Sequence, residues 1–105
     1  MKVLLDVCTP RQVRQALPGH EVQTAVGMGW RELENGDLLR EAEAAGFGLL
    51  IICDKNLRHQ QNLTGRRLAI LELWTNHRPT LELHWQLIRE AAEAMRPGEY
   101  RSLEP

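Results

Sequence analysis

The sequence predicts an α/β fold, a three-layer α/β/α sandwich around a mainly parallel sheet in strand order 2-1-3-4-5. Three observations predict it. The runs Val3-Leu4-Leu5 and Leu49-Leu50-Ile51-Ile52-Cys53 are short and continuously apolar, as expected of strands buried on both faces. Strand-like runs alternate with helical segments, which favours parallel pairing through right-handed crossovers with helices on both faces. The chain of 105 residues with 43% hydrophobic content is long enough for one core, so residues 1–105 read as a single domain.

The elements follow in order. Lys2-Val3-Leu4-Leu5-Asp6 is the first strand, and Thr9-Pro10 is a helix start with Thr9 as N-cap and Pro10 at the first helical position. A short helix over 10–17 stops at Pro18-Gly19. Residues 20–26 alternate as a second strand, and Gly27-Met28-Gly29-Trp30 is a loop. Asn35-Gly36 introduces a helix over 37–45 with an apolar face of Leu38, Leu39 and Ala42, ended by Gly46. The third strand spans about 48–53. Residues 54–63 are polar, with room for one or two helical turns, and Leu68 to Trp74 form a fourth strand ending at Thr75-Asn76. Pro79-Thr80 opens the longest helix, about 81–95, whose stripe of Leu81, Trp85, Ile88, Ala92 and Met95 is core. Pro97-Gly98 breaks it before an edge strand over 99–103.

Chemistry gathers at the strand ends. Asp6 and Asp54 each sit where an apolar run stops, and in an open α/β sheet ligands bind outside the carboxyl ends of the strands. Order 2-1-3-4-5 sets the first and third strands side by side, which brings the two ends to roughly 5 Å by interstrand spacing. Paired carboxylates at that range repel unless they share a cation or a proton. Mg²⁺ or Mn²⁺ suits such oxygen ligands. The alternative reading is that each aspartate caps the element that follows it.

Other chemistries lack their motifs. There is no Gly-Lys-Ser/Thr phosphate loop and no glycine fingerprint after the first strand, where Val7-Cys8-Thr9-Pro10 stands. His20, His59, His77 and His84 show no zinc spacing, although His59 and His77 are placed to meet a substrate at the carboxyl edge. Cys8 and Cys53 have no Cys-x-x-Cys spacing and read as buried, reduced thiols. The net charge of −1 gives no general pull toward nucleic acid. Its distribution is uneven: Glu32, Glu34, Asp37, Glu41, Glu43 and Asp54 precede a basic stretch with Lys55, Arg58, Arg66, Arg67 and Arg78. Arg66 and Arg67 precede a strand and belong at the opposite edge, which leaves Lys55, Arg58 and Arg78 as a basic rim. No apolar stretch approaches membrane-spanning length and no signal segment is evident, so a cytoplasmic protein without a membrane partner is expected.

Taken together, Val3-Leu4-Leu5-Asp6 with Pro10, Gly19-His20-Glu21-Val22, Gly29-Trp30, Asn35-Gly36-Asp37-Leu38-Leu39, Asp54-Lys55-Asn56-Leu57 and the string from Gln60-Gln61-Asn62-Leu63 to Arg66-Arg67 resemble the short PIN-like proteins, ribonuclease toxin components of bacterial toxin–antitoxin pairs. The resemblance covers nearly the whole chain. It implies a metal-dependent ribonuclease in which Asp6 and Asp54 hold Mg²⁺ or Mn²⁺ and a metal-activated water attacks an RNA phosphodiester. Asp37 assists as a third carboxylate or serves only the helix dipole. Asn56, Thr75 and Asn76 place phosphate or water, and Lys55, Arg58, Gln60 and Gln61 contact RNA. The implied partners are RNA and a small antitoxin protein, with a second copy of the chain as a further candidate. Where the family often reads Asp-Glu-Asn and Asp-x-Asp, this chain has Asp6-Val7-Cys8 and Asp54-Lys55-Asn56. The alternative is therefore a degenerate binding module that docks a protein or RNA without cutting it, with Trp30 and Trp74 as candidate surface aromatics.

Overall fold

The computed structural model describes residues 1–53 and 66–105. Five strands, β1 (Lys2–Leu5), β2 (Glu21–Thr24), β3 (Leu49–Ile52), β4 (Ala69–Leu73) and β5 (Tyr100–Leu103), form one sheet in the order β2-β1-β3-β4-β5. Every pairing is parallel, so the mainly parallel expectation becomes an all-parallel sheet. The register aligns Leu5 with Ile51 and Ile51 with Leu71. These runs lack alternation because helices cover both faces of the sheet.

Strand alternation divides the core in two. Val3, Leu5, Leu49, Ile51, Leu71 and Leu73 pack with Val13 and Ala16 of a 3₁₀ helix (Arg11–Ala16), with Leu81 of α2 (Arg78–Glu82) and with Ile88 and Ala92 of α3 (Trp85–Ala94). Leu4, Leu50, Ile52 and Ile70 pack on the other side with Leu38, Leu39 and Ala42 of α1 (Asn35–Ala44). This is the α/β/α layering, with the α1 stripe as its sequence spacing implies.

Two helical expectations are corrected. The segment after β1 is a 3₁₀ helix flanked by Pro10 at its N-cap and Pro18 beyond its end, and no side chain caps it. Thr9 is therefore not its N-cap. The predicted long helix is two helices: His84, at φ −128°, leaves helical geometry and sets its ring edge-on to Trp74 with centroids 5.4 Å apart. Leu83 beside it is 81% exposed. Periodicity cannot detect this break, because Leu81 before it and Ile88 and Ala92 after it keep one phase.

Lys2 at the start of β1 donates to Ala45 O at 2.7 Å, just past α1. The C-terminus of α1 is thus fixed at the amino edge of the sheet, and its first turn, carrying Asp37, is directed toward the carboxyl edge about 15 Å away. Arg66 and Arg67 lie at the amino edge as expected, with Arg66 3.6 Å from Glu43 of α1.

Candidate functional site at the carboxyl edge

Asp6 follows β1 directly and is only 9% exposed. Its N–H donates to Ile51 O at 3.1 Å, carrying the β1–β3 ladder one residue beyond the strand. The chain then turns, and the Thr9 N–H returns to Asp6 O at 3.1 Å. That turn brings the Thr9 hydroxyl, on a residue 6% exposed, to 2.5 Å from Asp6 Oδ1. A buried carboxylate without donors costs several kcal/mol. The Thr9 hydroxyl supplies one such donor.

A polar chain continues across the strand ends. Thr9 Oγ1 lies 3.6 Å from Cys53 Sγ, which follows β3, and the Cys53 thiol donates to Thr75 O at 3.4 Å beyond β4. The Thr75 hydroxyl accepts the His77 N–H at 3.1 Å, and His77 Nδ1 meets the Thr80 hydroxyl at 2.9 Å. Asn76 is exposed beside them. Thr75, Asn76 and His77 thus stand at the edge the sequence assigned them. Arg78 is exposed there too and pairs with Glu82 at 3.3 Å.

Asp37 lies in the first turn of α1, where Arg40 donates to its Oδ1. Its carboxylate therefore has a surface ion pair on its own helix. Asp54, Lys55, Asn56, Arg58, His59, Gln60 and Gln61 lie outside the described residues. In sequence, Asp54 comes two residues after Ile52, the end of β3.

The cysteines differ from the expectation of two buried thiols: neither is in a disulfide, but Cys8 is exposed while Cys53 is half-buried. Burial pushes the Cys53 thiol from its ordinary 9.0 up to about 11; the Thr9 hydroxyl opposes this and the charge of Asp6 adds to it. At pH 8, iodoacetamide should therefore modify Cys8 well before Cys53, as peptide mass spectrometry would show, since the thiolate is the nucleophile. Because folding favours the protonated thiol, its contribution to stability is full below pH 9 and is lost as pH rises toward 11. Equal labelling of both cysteines at pH 8 would contradict this placement of Cys53.

One acid was missed in the sequence. Glu72 on β4 is 8% exposed and accepts a hydrogen bond from the Tyr100 hydroxyl of β5. The register aligns Glu72 with Ile52, one place beyond the Leu5–Ile51 pair, so Glu72 and Asp6 share a row across the sheet. Their backbones are separated by about 10 Å, two strand spacings. The signal was a lone charge inside the apolar run Leu68 to Trp74.

A cleft of about 440 Å³ opens at the opposite, amino edge, lined by Phe47, Arg67, Leu68, Met95 and Arg96 among others. It contains none of the residues predicted for the site. The carboxyl edge is the site we assign, because it holds the buried carboxylate and because parallel sheets bind ligands there.

No protein-family model, curated protein or solved structure matches this chain.

The candidate aromatics are partly buried. Trp30 packs on the α1 side of the core, edge-on to Phe47 with centroids 6.0 Å apart, and Trp74 packs on the opposite side. No described helix is long and apolar enough to cross a membrane.

Proposed function

We propose that this chain is a PIN-like, metal-dependent ribonuclease of a toxin–antitoxin pair, acting at the carboxyl ends of β1 and β3. The observation that carries the reading is Asp6, a buried carboxylate at the end of an inner strand of a parallel 2-1-3-4-5 sheet. The neighbouring strand β3 is the one that Asp54 follows in sequence.

The two carboxylates the reading uses, Asp6 and Asp54, are oxygen donors of the kind a hard cation takes. Among the described residues no three histidine, cysteine or acidic side chains gather to hold a metal. A complete protein cage is not required, because Mg²⁺ keeps several waters and is commonly held by one or two carboxylates together with substrate phosphates. Asp6 with Asp54 would supply those carboxylates. When bound, the cation lowers the pKa of a coordinated water and offsets charge on the scissile phosphate. The protein's own contribution is to hold the Asp6 carboxylate in place, to offer the Thr75 and Asn76 polar groups at the next strand end, and to set Arg78 on the rim. Lys55, Asn56, Arg58, Gln60 and Gln61 complete the proposed RNA contacts, and a small antitoxin protein is the proposed regulator.

A second reading is a degenerate binding module. It is favoured by Val7 and Cys8, which occupy the places where the resembling family often carries an acid and an asparagine.

Calorimetric titration of Mn²⁺ into the wild type and an Asp6→Asn variant, beside a cleavage assay on total RNA with and without chelator, separates the two. The nuclease reading expects saturable binding and chelator-sensitive cleavage, both lost in the variant. Cleavage unchanged in Asp6→Asn sinks the mechanism, and absence of both binding and cleavage in the wild type selects the binding module.

A further inference from the structure

We infer that Thr9 is a positioning residue for the site: its hydroxyl fixes the Asp6 carboxylate in the orientation that receives a cation. The inference rests on the reading of Asp6 as a cation ligand and assigns a role to a side chain that does not itself touch cation or substrate.

The hydroxyl carries one proton and faces three neighbours: Asp6 Oδ1 at 2.5 Å, Ile51 O at 3.0 Å and Cys53 Sγ at 3.6 Å. The proton goes to Asp6. That contact is the shortest, and a hydrogen bond to an ionised carboxylate is roughly twice as strong as one between neutral groups. Ile51 O already accepts the Asp6 N–H, so the backbone there does not depend on Thr9.

Geometry then holds the donor itself. Thr9 is β-branched and stiff at χ1, and at 6% exposure its hydroxyl has little access to water. Its backbone is tied to Asp6 by the turn hydrogen bond, Thr9 N–H to Asp6 O at 3.1 Å. Donor and acceptor therefore move as one unit anchored on β3.

A sequence-level conflict points the same way. Thr9-Pro10 is a strong helix-start pair, and the default use of the hydroxyl is to cap the next helix. The 3₁₀ helix from Arg11 has no side-chain cap. The Thr9 hydroxyl instead donates to a buried carboxylate, and departures from a local rule are expected where a functional site is built.

The test is Mn²⁺ calorimetry on the wild type, Thr9→Val, Thr9→Ser and Asp6→Asn, with metal-free thermal unfolding of each. Thr9→Val keeps the shape and removes the donor, so affinity should fall about 10–100-fold, as for loss of a ligand-orienting partner. Thr9→Ser restores the hydroxyl and should bind within a few-fold of the wild type. Thr9→Ala is read as Thr9→Val is, should the valine variant fail to fold. Thr9→Val binding as tightly as the wild type, with Asp6→Asn binding lost, overturns the role of Thr9 alone. Thr9→Ser as weak as Thr9→Val also overturns it, since the methyl and not the hydroxyl would then matter. A wild type that binds no Mn²⁺ overturns the cation reading of Asp6 and the role of Thr9 together.

Discussion

Leu71→Ala is expected to cost about 2–5 kcal/mol of folding stability, a large share of the roughly 5–15 kcal/mol that holds a small domain together. Leu71 is fully buried on β4, in register with Ile51 of β3, and it packs in the cluster that joins the sheet to α2 and α3. The strands around it are hydrogen-bonded on both sides, so the sheet cannot collapse into the space that truncation leaves. Urea unfolding would show the midpoint falling with little change in slope. Leu83→Ala is the control, because Leu83 is 81% exposed and its loss should stay within about 0.5 kcal/mol. A cost at Leu71 no greater than at Leu83 would mean that α2 and α3 do not cover β4.

Gly98→Ala should be the most damaging alanine substitution outside the core. Gly98 lies in the turn before β5 at φ +77°, and an added Cβ would stand 2.6 Å from Arg66 O. The left-handed backbone costs a residue with a Cβ about 1–2 kcal/mol by itself. Here the backbone must also shift, and the Gly98 N–H to Arg67 O bond of 2.8 Å that ties the turn to the entry of β4 shifts with it. Gly46→Ala separates the two effects, because Gly46 has φ +85° but, among the described residues, no atom within 4 Å of the added Cβ. Thermal unfolding should show Gly98→Ala several degrees below Gly46→Ala, at about 4–8 °C per kcal/mol for a domain near this size. Equal melting points would show that the close approach to Arg66 is relieved at no cost.

The sheet was legible because its strands are inner ones. Leu49 to Ile52 and Val3 to Leu5 are apolar without interruption, a pattern that sheets covered on both faces impose and few other local structures produce. The stripe Leu38, Leu39, Ala42 was legible for the same reason, since one helix face must meet one sheet face. Asp6 was legible as a strand-end acid. The use of Thr9 was not, because its two candidate partners, a helix N–H that would donate to the hydroxyl oxygen and the Asp6 carboxylate that accepts its proton, are both local in sequence and only the turn geometry chooses between them. The exposure of Cys8 follows from the same turn, which carries Cys8 outward while Thr9 points in.

Sequence by itself determined the layering, the parallel pairing and the placement of polar residues after β1 and β4, since these follow from apolar periodicity and from the chirality of crossover connections, and the expected order 2-1-3-4-5 is the one the sheet adopts. Tertiary structure alone decided the division of the long helix at His84, whose ring meets Trp74 beyond the end of β4. It also decided the pairing of Glu72 with Tyr100 across β4 and β5, and the chain of contacts from Asp6 through Thr9 and Cys53 to Thr75. The physical reason is common to all three. Apolar burial is additive and periodic and is written along the chain, whereas a hydrogen bond or ring contact depends on a few ångströms between groups that only the folded backbone brings together.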